Sequence, residues 1–324
     1  MINTQFKRIN LLICGATGFI GRNLLIFYSN NYNYNVTATY HITPPFYAPN
    51  VNWILCDLRI ESEVINTING FDIIIQAAAT TSGINDITNN PEIHVTDNII
   101  MNSLIFKYSC LFNVKHLIFF SCSIMLNSNL LPQDESNFNS DLNINSKYFA
   151  AGWTKFYLEK MCEFFSSISQ TKFTAIRHSN IYGPFDKFDL KRSHVCGASI
   201  TKVMKATNEI TIWGSGNEIR DLLYIDDLIN LVNKVISLQN SKFDLINCGS
   251  GYGVSINELV KLIIKVANKD LIIKHDITKP TIGHSIILDI NKAKINYLWE
   301  PQIELFNGLN KTVDWWIKQN LNAT

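Results

Sequence analysis

A short apolar strand that runs directly into three glycines, each three residues after the last, is the feature that most constrains the fold. Residues 10–14 read Asn-Leu-Leu-Ile-Cys, which is typical of a buried parallel strand. In the turn that follows, Gly15 permits a sharp bend, Gly18 lets the backbone approach a pyrophosphate, and Gly21 lets the next helix pack close to the strand. The phosphates would lie at the helix N-terminus, where free N–H groups favour negative charge. The stretch therefore predicts dinucleotide binding.

Further apolar strands alternate with helical segments along the first half of the chain. The predicted strands are 36–40, 51–55, 72–76 and 116–121, and a long helix is predicted at 91–113. This alternation predicts an α/β fold, a Rossmann-type doubly wound parallel sheet with a smaller C-terminal α/β substrate-binding lobe. We expect residues 1–180 to form the dinucleotide-binding domain, with a returning strand at about 242–249, and residues 181–324 to form mainly the second lobe.

Composition excludes several classes of function. The chain has 324 residues and a net charge of +1, so no basic excess points to nucleic acid or to a membrane surface. No run of 18 apolar residues is present, and the N-terminal segment has no hydrophobic signal core. Seven scattered cysteines form no C-x-x-C pair, which predicts reduced thiols, a cytoplasmic protein and no metal site.

The second strand bears on the choice of dinucleotide. An acid at its end would hold the ribose 2′-OH of NAD(H) and repel a 2′-phosphate, but the residue there is His41. The absence of an acid at this position favours NADP(H) over NAD(H). Arg22 or His41 would meet the phosphate, although Arg22 equally suits a solvated helix position. The next acid, Asp57, either accepts a bond from the adenine amino group or caps the helix that begins near Ile60.

The sequence GATGFIG at 15–21 resembles the extended short-chain dehydrogenase/reductase family, the NAD-dependent epimerases and dehydratases. Three alanines after Gln76 resemble the family's NAAA sequence, and Asn98 matches a helix asparagine that braces the neighbouring strand. The resemblance extends from Leu11 to about Trp316. The cofactor-binding residues that the motif and the resemblance indicate are Gly15, Thr17, Gly18, Phe19, Ile20, Gly21, Arg22, His41, Asp57, Leu58, Ala77, Ala78, Ala79, Lys155, His178 and Asn180.

In this family a serine, a tyrosine and a lysine act together on a sugar carbonyl. The resemblance assigns Ser121 and Lys155, but the tyrosine position, four residues before the lysine, holds Ala151. Tyr148 would have to act from about 10 Å along a helix axis where about 6 Å is needed. A second explanation is natural inactivity. A third, which we favour at this point because the other elements look intact, is an engineered truncation of a native Tyr-Gly-Trp-Thr-Lys.

The segment Phe-Ser-Cys-Ser-Ile at 120–124 resembles the SSC sequence of GDP-L-fucose synthases, which epimerise a 4-keto sugar before they reduce it. In register, the epimerising cysteine falls on Ser123, and an alcohol is a poor proton shuttle. Cys122 would face the other way on an extended segment, as a small buried apolar residue. The resemblance therefore implies little or no epimerisation.

The C-terminal half contains motifs that resemble the family's substrate contacts. They are R-x-x-N-x-Y-G-P at 177–184, Lys-Arg-Ser-His-Val at 191–195, and WGSGNEIRDLLYIDD at 213–227. The substrate-binding residues that they imply are Asn180, His194, Lys202, Trp213, Arg220 and Lys279. Arg220 would clamp a diphosphate, Trp213 would offer an aromatic face, and a neutral imidazole at His194 would suit proton transfer or a sugar hydroxyl. We expect Asp226 and Asp227 to cap a helix.

Taken together, the resemblance implies an NADPH-dependent C4-ketoreductase of a nucleotide-diphospho-4-keto-6-deoxy sugar, with GDP as the favoured nucleotide. The implied catalytic positions are Ser121, Ser123, Ala151, Lys155 and His194. A homodimer through helices at about 91–113 and 150–168 is also implied. Two alternatives stay open: a 4-epimerase or 4,6-dehydratase with tightly bound NAD, and a non-catalytic nucleotide-sugar-binding protein. A dehydratase usually has an acid pair just after this serine, and this chain has Cys122 and Ser123 there instead.

Overall fold

A seven-stranded parallel sheet forms the centre of this computed structural model. The structure describes residues 7–80, 91–138, 144–190, 193–279, 281 and 283–321. The strands of the sheet are β1 (Ile9–Cys14), β2 (Tyr34–Tyr40), β3 (Val51–Leu55), β4 (Ile73–Gln76), β5 (His116–Cys122), β6 (Lys172–His178) and β10 (Phe243–Cys248). Their order is β3-β2-β1-β4-β5-β6-β10, and all neighbouring pairs are parallel. The order reverses between β1 and β4, so a ligand crevice is expected at the carboxyl ends of these strands.

Helices cover both faces of this sheet. They are α1 (Phe19–Ser29), α2 (Glu61–Ile68), α3 (Thr96–Leu111) and α4 (Phe149–Ile168). On one face, Phe119 of β5 packs in a buried cluster with Ile105 of α3 and Leu158 of α4. On the other face, Ile118 packs in a cluster that includes Leu24 of α1. Burial on both faces explains why the strands read as continuous apolar runs.

The second lobe contains two small sheets. The remaining strands are β7 (Asn180–Tyr182), β8 (Glu209–Trp213), β9 (Ile219–Tyr224), β11 (Gly253–Ser255) and β12 (Ile272–Asp276). They form a sheet of order β11-β9-β7 and a pair β12-β8. The helices are α5 (Val195–Lys205), α6 (Ile225–Leu238), α7 (Ile256–Val266), α8 (Asn291–Tyr297) and α9 (Leu305–Leu321). The predicted fold class is confirmed. Among the described helices, none is long and apolar enough to cross a membrane.

Two helix caps differ from the prediction. The N-cap of α6 is Tyr224, whose backbone is extended, so Asp226 and Asp227 lie inside the first turn. The Asp227 carboxylate instead accepts the backbone N–H groups of Gln302 and Ile303 at 2.9 and 3.1 Å. The prediction of capping is therefore wrong, because Asp227 ties the segment after α8 to α6. The N-cap of α2 is Ile60, so the capping alternative for Asp57 is wrong as well.

Candidate active site

The glycine turn after β1 has the shape of a phosphate cradle. Gly15 has a φ of +71°, and a Cβ there would lie 2.5 Å from Ala78 Cα. A Cβ at Gly21 would lie 2.3 Å from the Gly15 carbonyl oxygen. Gly18 differs, because its backbone is extended and a Cβ would meet Gly15 O at 3.4 Å, an ordinary contact. The protein itself thus does not require glycine at residue 18, and the open space beside it fits a pyrophosphate.

The first backbone N–H groups of α1 are available to bind a ligand. Gly18 is the N-cap, no side chain caps the helix, and its first turn carries no acidic residue. The first N–H groups of a helix have no intrahelical partner, and they attract anions. Thr17, Phe19 and Ile20 are half-buried around the turn. These residues fit the diphosphate of a dinucleotide.

The three alanines after β4 form the opposite wall of this cradle, and hydrogen bonds from neighbouring side chains fix their position. The buried Gln76 amide donates to Ala78 O and to Asn102 Oδ1, both at 3.1 Å. Asn98 Nδ2 donates to Thr80 O at 3.0 Å, and its Oδ1 accepts the Thr80 N–H at 3.1 Å. Asn98 therefore braces the segment that contains Ala77, Ala78 and Ala79, as the resemblance implied.

Asp57, the acid that follows β3, is paired with the cation of Arg59. Asp57 binds the Arg59 guanidinium, with Oδ2 to Nη2 at 2.8 Å, and this bond holds the pKa of Asp57 at about 2. His41 Nε2 lies 3.5 Å from the same carboxylate. Sequence analysis missed Arg59, although its position two residues after Asp57 was the available signal. Leu58, between them, is buried.

Arg22 lies between two aromatic rings. Its guanidinium carbon is 4.0 Å from the centre of the Phe46 ring and 4.1 Å from that of Phe185. Its Nε is buried without a hydrogen-bond partner, and burial lowers the pKa of the side chain. The interpretation of Arg22 as a solvated helix residue is therefore wrong.

Ser121 does not reach the position that the resemblance assigned to it. Its hydroxyl is fully buried and donates to Glu159 Oε1 at 2.6 Å. Glu159 in turn binds Arg177 through two bonds, Nε to Oε1 at 3.1 Å and Nη2 to Oε2 at 2.7 Å. Ser121 thus completes a buried network on the helix side of β5. The assignment of Ser121 as the carbonyl-binding serine is corrected for this reason.

Cys122 lies on the opposite side of β5 from Ser121, because side chains alternate along a strand. It is half-buried at the carboxyl end of the strand, and its interpretation as a small buried apolar residue stays a prediction. Lys155 Nζ donates to the carbonyl of Phe120 at 2.7 Å, at the same end of β5. Burial raises the pKa of the Cys122 thiol and lowers the pKa of Lys155, and the attraction between the two groups opposes both shifts.

The residue four before Lys155 is Ala151, on the same face of α4 and half-buried. Tyr148, the N-cap residue of α4, extends toward the second lobe. Its ring packs edge-on against His284, with 5.6 Å between ring centres, and Arg220 and Cys122 are its charged or ionisable neighbours. Ser123, the predicted epimerising position, is buried.

Two histidines of the predicted site lie close to one another, and one of them, His178, also lies near Lys155. His178 pairs in register with Cys122 across β5 and β6, and its Nδ1 lies 2.7 Å from Ser179 O. Burial, with contributions from Lys155 and His194, lowers the pKa of His178 to about 4. His194, the N-cap residue of α5, is open to solvent, yet the surrounding protein and Lys187 lower its pKa. Lys191 and Arg192, the first residues of that motif, lie outside the described residues.

The predicted contacts of the second lobe fall into two groups. Lys202 Nζ lies 5.0 Å above the centre of the Trp213 ring, and Lys279 follows β12, which pairs with β8 next to Trp213. Arg220 donates to the carbonyl of His284, and so lies beside Tyr148. This second group includes His284, which sequence analysis missed.

Asn180, a predicted cofactor and substrate contact, binds the backbone of the protein itself. The Asn180 amide donates to Asp221 O at 3.1 Å, a contact within the second lobe. The described residues contain no cluster of three or more metal-ligating side chains.

Known proteins match the sequence and the fold of this chain. The model of the NAD dependent epimerase/dehydratase family matches residues 11–249. The chain belongs to this family. Its members include NAD(P)-dependent enzymes that modify nucleotide sugars, and the predicted resemblance is confirmed.

Individual epimerase/dehydratase family members are similar over most of the chain. GDP-mannose 3,5-epimerase 1 of Oryza sativa subsp. japonica is 26% identical over 323 residues, which cover 97% of this chain and 83% of that protein. GDP-L-fucose synthase of Sinorhizobium fredii is 29% identical over 248 residues, covering 74% and 77%. The crystal structure of UDP-glucose 4-epimerase from Thermotoga maritima with UDP-glucose has a TM-score of 0.82 at 23% identity, covering 96% of this chain and 100% of that one.

Substitutions at two glycines of the cradle should separate an effect on cofactor binding from an effect on stability. Gly18→Ala should weaken NADPH binding by about 10-fold or more, because the methyl group enters the phosphate space, with a loss of stability of at most about 1 kcal/mol. The matched change Gly15→Ala should lower stability by roughly 2–5 kcal/mol through a positive φ and a backbone clash. Fluorescence titration and thermal unfolding measure the two effects. A Gly18→Ala protein with unchanged NADPH affinity would contradict the assignment.

Proposed function

We propose that this protein is an NADPH-dependent C4-ketoreductase of a nucleotide-diphospho-4-keto-6-deoxy sugar, with GDP as the favoured nucleotide. The observation that carries the proposal is the position of Lys155. Its Nζ is hydrogen-bonded to Phe120 O near the carboxyl end of β5, and the cradle at Gly18 lies at the carboxyl end of β1 in the same parallel sheet. A cationic lysine beside the nicotinamide end of a dinucleotide is what carbonyl reduction in this family needs. Bound NADPH supplies the hydride.

The second lobe offers contacts for each part of such a substrate. Arg220 and Lys202 are cations suited to a diphosphate, and Trp213 is 39% exposed, so it has a face for a base. His194, whose pKa is lowered, stays neutral near pH 7 and suits a sugar hydroxyl. The proposal of GDP is supported by the GDP-sugar relatives in the sequence comparisons.

The preference for NADPH is supported by the end of β2. No acid directly follows that strand, where the residue is His41. The Asp57 carboxylate is bound by Arg59 at 2.8 Å, and Arg59 also binds Asp97, with Nη1 to Oδ2 at 3.0 Å, so Arg59 is already paired with two acids. The support for NADPH is therefore the absence of an acid at residue 41. The seven cysteines are free thiols, which fits the reducing cytoplasm that we propose as its location.

Reduction should be visible as NADPH oxidation in the presence of GDP-4-keto-6-deoxymannose, in this chain and in Ala151→Tyr. Lys155→Met should lower the rate by about 100-fold or more, since it removes the cation beside the carbonyl. The matched control Lys160→Met, on an exposed position of the same helix, should leave the rate unchanged. Tight sugar-nucleotide binding without turnover in either protein would favour the binding-protein alternative. Co-purified NAD with inversion at C4 would favour the epimerase.

Epimerisation should be absent from the reaction. Ser123 is buried, and an alcohol is a far weaker acid than a thiol, so no group at this position can exchange protons at C3 or C5. Product formed in D2O should contain no solvent deuterium at either carbon by NMR. Deuterium at C3 or C5 would overturn this part of the proposal.

We also propose a homodimer through α3 and α4. These adjacent helices expose large apolar side chains, namely Ile100, Leu111, Tyr157, Phe164 and Ile168. Several exposed apolar side chains on two adjacent helices are typical of an interface between subunits. Sedimentation equilibrium should give twice the chain mass, and Phe164→Glu should shift it toward the monomer. The control Phe27→Glu, at an exposed position of α1, should remain a dimer. A wild-type monomer would contradict the proposal.

A further inference from the structure

We propose that His284 is a substrate-specificity residue, whose Nε2 accepts a hydrogen bond from the sugar hydroxyl next to the diphosphate, the hydroxyl on C2. This inference deepens the proposed function and rests on it, because it requires that the cleft binds a nucleotide-diphospho sugar. It adds one condition on the substrate, namely that the sugar keeps its hydroxyl at C2.

The observation that points to a ligand is a buried nitrogen atom without a partner. His284 is 6% exposed, and its Nε2 has no hydrogen-bond partner within the described part of the chain. A buried polar atom that stays unpaired costs about 1–3 kcal/mol, so such atoms are normally satisfied by protein, water or ligand. We therefore expect Nε2 to bind a group from outside the protein.

The other contacts of the imidazole make Nε2 an acceptor. The ring forms a hydrogen bond with the Leu126 backbone, and since Nε2 is unpartnered, the nitrogen that donates there is Nδ1. Burial and the neighbouring Arg220 guanidinium lower the pKa of His284 to about 4, so the ring is neutral near pH 7. In a neutral imidazole with its proton on Nδ1, Nε2 offers a lone pair. The group that binds there must donate a hydrogen, as a hydroxyl does and an ionised phosphate does not.

His284 lies between the positions proposed for the two ends of the substrate. Its carbonyl accepts a hydrogen bond from Arg220, the proposed diphosphate contact, and its ring packs on Tyr148 with 5.6 Å between ring centres. Tyr148 is the N-cap of α4, seven residues before Lys155, which corresponds to about 10 Å along the helix axis. C1 and C4 lie on opposite sides of a pyranose ring, so a sugar with C4 at Lys155 directs its diphosphate toward Arg220. His284 then lies on the C1 side of the sugar, where the nearest hydroxyl is the one on C2.

Backbone contacts from both lobes hold the His284 segment in place. The next residue, Ser285, donates its N–H to Ser128 Oγ at 2.8 Å and accepts the Asn129 N–H at 2.8 Å, both from the segment that follows β5. From the second lobe, the Ile219 N–H donates to Ser285 Oγ at 3.0 Å. The imidazole is therefore carried by a fixed backbone at the junction of the two lobes, which suits a residue that discriminates among substrates.

Two sugar nucleotides that differ in one hydroxyl test the contact without any turnover. GDP-mannose has the C2 hydroxyl, and GDP-2-deoxyglucose lacks it but has the same groups elsewhere. By isothermal titration calorimetry, the wild-type protein should bind GDP-mannose about 3- to 10-fold more tightly, the range of one neutral hydrogen bond. GDP alone is the control, since it lacks the sugar. If the chain binds only uridine nucleotides, the matched pair is UDP-glucose and UDP-2-deoxyglucose.

Two variants separate the acceptor from the shape of the ring. His284→Phe keeps a ring against Tyr148 and removes the acceptor, so it should bind the two sugar nucleotides equally, with unchanged affinity for GDP. His284→Gln places an amide oxygen near the position of Nε2 and should retain a preference for GDP-mannose. If His284→Phe does not fold, NMR of wild-type protein labelled with 15N-histidine decides. The Nε2 signal of His284 should then shift with GDP-mannose and not with GDP-2-deoxyglucose.

Each result bears on either this inference or the proposed function. Equal binding of the two sugar nucleotides by the wild-type protein, as an ordered water at Nε2 would give, overturns the assignment of His284. A preference that persists in His284→Phe, or an Nε2 signal that does not distinguish the two ligands, overturns it as well. If the preference is as predicted but the chain reduces no keto sugar, the reductase function fails and this inference stands. If no sugar nucleotide binds, both fail.

Discussion

The buried ion pair between Glu159 and Arg177 is the interaction on which the catalytic end of the cleft depends. Both side chains are almost fully enclosed, at 3% and 1% exposure, and they join α4 to β6. Ion pairs of this kind gain little net stability, yet removing one partner leaves a buried charge and costs about 3–5 kcal/mol. The pair therefore fixes position more than it stabilises the fold. With Glu159 anchored, Lys155 is held one helical turn away at the end of β5.

The same pair determines the direction of the Ser121 side chain on β5. Glu159 accepts the hydroxyl of Ser121, so that serine faces the helix and Cys122 faces the cleft. The residue type at each position suits this arrangement, because a buried hydroxyl needs a partner and a carboxylate provides one. The sequence then departs from the family pattern at Ser123, where the epimerising cysteine would stand, and at Ala151, where the tyrosine would stand.

Much of the fold was predictable because strong local patterns agreed with one another. The glycine turn after β1, the apolar strands buried on both faces, and the Asn98 brace all appear as the sequence indicated. The direction of side chains at 121 and 122 was not predictable from the resemblance. A shift of one residue along a strand exchanges its two faces, and the sequence Ser-Cys-Ser fits the family motif in more than one register. The spacing of four between Lys155 and Glu159 was the available signal, since it places both on the sheet-facing side of α4.

Tertiary contacts explain the other differences. Asp227 resembles a helix cap in sequence but is taken by the backbone of Gln302 and Ile303, which lie 75 and 76 residues later. Arg22 resembles a solvated helix residue but is enclosed by Phe46 and Phe185, which come from distant loops. No local pattern contains this information.

The central claim is that the cleft transfers a hydride to C4 of a nucleotide-linked keto sugar. A single-turnover reaction of the wild-type protein with NADPH that carries deuterium at the transferred position of its nicotinamide tests it most directly. With GDP-4-keto-6-deoxymannose, NMR of the product should show one deuterium, bonded to C4, with none at C3 or C5. Recovery of the keto sugar without deuterium, although both ligands are bound, would contradict the account.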